Sequence, residues 1–129
     1  MVRTLMRPDS MPGAYGMAVT RNGLLLVAGY TATVGSEPVG LLLVDDGRLA
    51  LVCNSNRALD LAPGTGSDVP HTVSVITTAA AFAHRSALVG AVPAGLFPRD
   101  LALDQATGQV MLGNFNSGTV EEFPVPAAP

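Results

Sequence analysis

From Gly95 to Phe123 the chain reads Gly-Leu-Phe-Pro-Arg-Asp-Leu-Ala-Leu-Asp-Gln-Ala-Thr-Gly-Gln-Val-Met-Leu-Gly-Asn-Phe-Asn-Ser-Gly-Thr-Val-Glu-Glu-Phe. Leu101 and Leu103 alternate with less apolar neighbours, Thr107-Gly108 is turn chemistry, and Val110-Met111-Leu112 is a short apolar run. A second turn at Asn116-Ser117-Gly118 leads into Thr119–Phe123. Alternation of period two, broken by Gly-containing turns, predicts three short β-strands joined tightly.

The pattern recurs. Shifting the chain by 60 residues places Pro38 on Pro98, Leu41 on Leu101, Leu43 on Leu103 and Asn54 on Asn114 without a gap. Asp45-Asp46-Gly47 then lies opposite Gln105-Ala106-Thr107, and Ala50-Leu51-Val52 opposite Val110-Met111-Leu112. A weaker copy begins at Ala14, with Tyr15–Val19, the turn Arg21-Asn22-Gly23 and the run Leu24–Val27. Self-similar strand–turn–strand units predict stacked or radial β architecture.

Composition agrees with that expectation. The 129 residues are 48% hydrophobic and 13% charged, which suits one ordered domain and not a disordered chain. There is no Trp and little aromatic content, so the core must come from Val, Leu, Ala and Met. Fourteen Gly and ten Pro punctuate short strands, as all-β folds require. The formal charge is −3 and offers no basic face for nucleic acid. A lone cysteine, Cys53, rules out an internal disulfide framework and reads as a small buried hydrophobe. No apolar run reaches the ~18 residues of a membrane helix, and Met1–Pro8 lacks the apolar stretch of a secretory signal.

The strand ends Leu51-Val52-Cys53-Asn54 and Met111-Leu112-Gly113-Asn114, each sixteen residues after a Pro, resemble the YVTN-type repeat of lactonase-like β-propellers. The first copy departs from it, ending Ala28-Gly29 without the Asn. The resemblance spans most of residues 13–124 and implies an all-β fold, a partial β-propeller of about two to three antiparallel blades starting near residues 14, 38 and 98. Residues 1–13 read as a flexible lead-in and 125–129 as a tail. Ala14 to Pro38 is too short for a four-stranded blade, so the first blade is expected to lack its outer strands. Residues 56–71 read as a long loop. The Ala-rich run after Thr77 and Thr78 predicts one short helical turn near residues 78–84, before an outer strand at Ala87–Val92. Closed propellers have about four to eight blades. The expectation is therefore a fragment of a longer propeller, or self-association through exposed blade faces.

Candidate chemistry is sparse. Arg99 and Asp100 follow Pro98 at the start of the strand that, by the resemblance, lines the central channel. Arg99 can grip a carboxylate or phosphate there, or pair with Asp100 to join neighbouring blades. His71 with the nearby Asp68 is a candidate loop base, whereas His84 is explained by a helix C-terminus. Asn54, Asn114 and Asn116 are expected to satisfy backbone groups at turns. Asp45 and Asp46 read as solvated turn carboxylates, and Glu121 and Glu122 as split by face, one outward and one toward a neighbouring unit that this chain need not contain. No metal-binding or phosphate-loop spacing is present, so no metal and no cofactor is expected. The leading functional expectation is a non-enzymatic binding or scaffold module whose protein or small-molecule ligand is unknown. The resemblance also permits a lactone hydrolase of the 6-phosphogluconolactonase type, active only as a complete propeller or oligomer. Related propellers are often exported; this sequence leaves the localisation open.

Overall fold

The computed structural model describes residues 17–19, 21, 25–27, 34–35, 37–56 and 70–129. Within them the chain is mostly β and forms three antiparallel sheets. The first pairs β1 (Met17–Val19) with β2 (Leu25–Val27). The second is a four-stranded meander, β3 (Pro38–Val44), β4 (Leu49–Asn54), β5 (Thr72–Thr77) and β6 (Leu88–Pro93), in that spatial order. The third is a three-stranded meander, β7 (Pro98–Asp104), β8 (Gln109–Asn114) and β9 (Thr119–Pro124). A 3-10 turn at Asp45–Gly47 links β3 to β4, and the helix α1 (Thr78–Phe82) follows β5. The lead-in, the Asn22-Gly23 turn and Asp68 lie outside the described residues.

The sixty-residue repeat holds down to strand register. Pro38 faces Asn54, Leu41 faces Val52 and Leu43 faces Ala50; Pro98 faces Asn114, Leu101 faces Leu112 and Leu103 faces Val110. Both ladders are irregular just after the proline. Glu37 and Phe97, the residues before each proline, share a left-handed backbone (φ 50° and 56°). Ser55 N–H donates to the Glu37 carbonyl, and Phe115 N–H to the Phe97 carbonyl. A Cβ on Gly35 would lie 2.6 Å from the Asn54 side chain, and one on Gly95 would lie 2.8 Å from that of Asn114. Each strand-end asparagine thus sits under a residue that cannot carry a side chain.

Those asparagines do something other than cap turns. Asn54 Nδ2 donates to the hydroxyls of Thr72 (3.1 Å) and Ser74 (2.9 Å), and Asn114 Nδ2 donates to Thr119 Oγ1 (3.2 Å). The amides therefore tie one strand to the next through side chains rather than satisfying backbone groups. Both residues are buried.

Burial shows how the sheets stack. Every residue of β4 is buried, whereas the equivalent β8 is buried only at alternate positions. The centre of the four-stranded sheet is therefore covered on both faces, while its edge strand β6 is largely exposed, and the three-stranded sheet is covered chiefly on one. Leu49, Leu51, Cys53, Val73 and Val75 on one face of the former pack with Leu101, Val110 and Leu112 of the latter. The opposite face carries Leu41, Leu43, Ala50, Val52 and Ile76, which pack with Val34, Ala81, Phe82 and Ala87. Leu41 and Leu101 are repeat equivalents, yet they point into different clusters. The two larger sheets therefore stack front to back, the Leu51 face of the first meeting the Leu101 face of the second. Full burial of side chains such as Leu51 and Leu112 contributes roughly 1.5–3 kcal/mol each.

The first strands of the two larger sheets touch most closely. A Cβ on Gly40 would lie 2.5 Å from the Arg99 carbonyl oxygen, so only glycine allows β3 and β7 this approach. β1 in turn lies against β3. Among the described residues, no helix is long and apolar enough to cross a membrane.

Candidate functional site

The site begins with the segment that leads into β7. Four consecutive N–H groups are each held: Ala94 donates to the His71 carbonyl (3.0 Å), Gly95 to Glu121 Oε2 (3.2 Å), Leu96 to Ser117 Oγ (2.6 Å) and Phe97 to His71 Nδ1 (3.3 Å). On the return side, Phe115 N–H donates to the Phe97 carbonyl and Asn116 N–H to the Leu96 carbonyl. The start of β5, the β8–β9 turn and β9 thus fix this loop from three directions.

This frame presents a mixed surface. Phe97 is buried, and its ring meets Phe115 edge-to-face at 5.4 Å between centroids. The Arg99 guanidinium lies 5.7 Å from the Phe97 centroid, in cation–π range. Phe115 is 69% exposed, and Leu96 is exposed beside it. Arg99 and Asp100 do not pair with each other. Asp100 Oδ1 instead accepts the Leu101 N–H at 2.9 Å. Arg99 is exposed, and among the described residues no carboxylate lies within ion-pair distance of it. A guanidinium held on an aromatic face with its N–H groups unclaimed by carboxylate is chemically suited to an anion.

His71, the expected loop base, holds the segment before β7: its Nδ1 accepts the Phe97 N–H, which places the proton of the neutral ring on Nε2. Asp68, its expected partner, lies outside the described residues. His84 is exposed just past α1, with a left-handed backbone. Asp45 and Asp46 are ion-paired, to Arg48 and Arg21 respectively. Glu121 accepts the Gly95 N–H, and both it and Glu122 are exposed.

Arg99 and Asp100 stood out in the sequence as charged residues in place of Val39 and Gly40. Phe97 and Ser117 did not. A residue before proline is ordinarily extended, so nothing local announces a left-handed Phe97. The repeat offered the available signal, because Glu37 occupies the same position before Pro38.

Among the described residues, no group of three or more His, Cys, Asp or Glu side chains is placed to hold a metal ion. No protein-family model matches the chain, and no curated protein matches it either.

Proposed function

We propose that the chain is a non-enzymatic binding module of β-propeller type, with YVTN-like repeats, that works within a larger ring of sheets. Its recognition surface is Arg99, backed by the buried Phe97, together with the exposed Phe115 and Leu96, and its ligand carries a carboxylate or phosphate beside an apolar group. The observation that carries this reading is Arg99 at the start of β7, supported on the Phe97 ring and with no carboxylate among the described residues within ion-pair distance. The shared register of the Pro38 and Pro98 units supports the repeat assignment. An unpartnered exposed Arg is common on protein surfaces. Here, however, the hydrogen-bonded loop beneath it reduces the ordering cost of binding.

The test is titration of the isotope-labelled chain with inorganic phosphate and with phenylacetate. Resonances of Arg99, Phe97 and Phe115 should move together and saturate, with phenylacetate binding more tightly because it also covers the exposed ring. In Arg99→Ala both titrations should weaken by about tenfold or more, the loss expected of a charge-assisted contact. Unchanged spectra at millimolar ligand would refute the surface. Hydrolysis of a sugar lactone above the buffer rate would refute the non-enzymatic assignment.

A further inference from the structure

Among the described residues, apolar side chains are exposed at both ends of the stack, and the two exposed faces are of opposite kinds. In the larger sheets, residues equivalent to Leu41 and Leu43 form a front face, and residues equivalent to Leu42 and Leu51 form a back face. The back face of the β3–β6 sheet meets the front face of the β7–β9 sheet. Placing the turn after β1 on the turn after β3 aligns Met17 with Leu41 and Val19 with Leu43, so these two side chains belong to a front face. They are 58% and 62% exposed, while Ala18 between them is half-buried. At the other end, the back face of the β7–β9 sheet carries Ala102, Met111 and Val120 by strand register, with Glu122 opposite Met111 and Asp100 opposite Gly113 on the same face. Val120 is 71% exposed.

We infer that the occupant of each open face is a second copy of this chain, docked head to tail, with Met17 and Val19 of one copy on Ala102, Met111 and Val120 of the next. The argument is continuity: inside the chain, a back face of this repeat is covered by a front face. A front face is what the other end of the same molecule leaves uncovered. Such a contact is heterologous, so it extends to a ring if the rotation closes and to an open chain if it does not. It is also weaker than its internal counterpart. The positions equivalent to Val44 and Leu49 are Asp104 and Gln109, which removes apolar area at the turn end of the interface. The inference rests on the repeat-ring part of the proposed function and is independent of the Arg99 surface.

Sedimentation equilibrium of the full chain from ~10 μM to ~1 mM tests it, the span in which weak self-association becomes visible. Two variants block one end each: Met17→Glu with Val19→Glu at the front, and Val120→Glu at the back. All three residues are exposed, so the fold should survive, and circular dichroism of each variant checks this. The wild type should gain mass with concentration. Each variant alone should have its dissociation constant raised about tenfold or more. An equimolar mixture of the two should restore association and stop at a pair, because each partner retains one intact face. A wild type that stays monomeric at the highest concentration overturns the inference. So does strong association of Val120→Glu alone, which would mean like faces pair, and so does a mixture that remains monomeric. A monomer that still binds phosphate at Arg99 would remove the self-association and leave the binding surface standing.

Discussion

Cys53 shows what burial between two sheets does to one side chain. It is fully buried in β4, and that burial, with a smaller contribution from the Asp100 carboxylate, pushes its thiol up to about 12 from its ordinary value of 9.0. The folded chain therefore keeps a neutral thiol where the unfolded chain has begun to ionise. Below about pH 9 both states hold the proton and the group has no effect on stability. Between 9 and 12 the native state binds more protons than the unfolded one, so stability falls as pH rises. A shift of this size is worth on the order of 4 kcal/mol by the top of that range. Urea unfolding of the wild type and Cys53→Ala at several alkaline pH values should give a steeper decline for the wild type. Parallel declines would show that the thiol is not responsible. At neutral pH the native thiol should react with a disulfide reagent only as fast as the chain opens.

At the scale of elements, the β7–β8 hairpin has its turn built by one carboxylate. Asp104 accepts the Ala106 N–H at 2.9 Å and the Thr107 hydroxyl at 2.7 Å. These hydrogen bonds, led by the one from Thr107, hold the Asp104 carboxyl below its ordinary value. A depressed carboxylate stabilises the fold above its unfolded pKa, and the gain is lost as pH falls through the folded one. Asp104→Asn should therefore lower Tm by a few degrees near neutrality, and the difference should shrink in acid. A gap that is constant with pH would assign the loss to packing. This turn was legible in the sequence because its chemistry is local: an Asp followed by Thr-Gly between alternating apolar residues. The equivalence of the two hairpins was legible too, through the matching prolines and asparagines, but which residue faces which came only from the fold. The loop before β7 was not. Its four N–H groups find partners at His71, Ser117 and Glu121, all remote in sequence. The left-handed Phe97 contradicts the usual preference before proline and is held by those distant groups.

On the scale of the whole molecule, the decisive contact is where β3 crosses β7, and sequence alone could not have found it because Gly40 and Arg99 meet only when the sheets stack. The contact also joins the core to the candidate site. In Gly40→Ala the new methyl would sit 2.5 Å from the Arg99 carbonyl oxygen and 3.2 Å from the Asp100 Cα, both backbone atoms that no rotamer change can clear. The strands must part, which loosens the Leu51–Leu101–Leu112 packing behind them and shifts the backbone that carries Arg99. Overpacking of this kind costs typically about 1–3 kcal/mol. Gly90→Ala is the matched control: a Cβ there meets nothing within 4 Å. Thermal unfolding should therefore show Gly90→Ala near the wild type and Gly40→Ala several degrees lower. In the same Gly40→Ala protein, phenylacetate binding should weaken although no ligand-facing side chain has changed. If Gly40→Ala melted with Gly90→Ala and bound ligand normally, the close stacking of the two sheets would not be what positions Arg99.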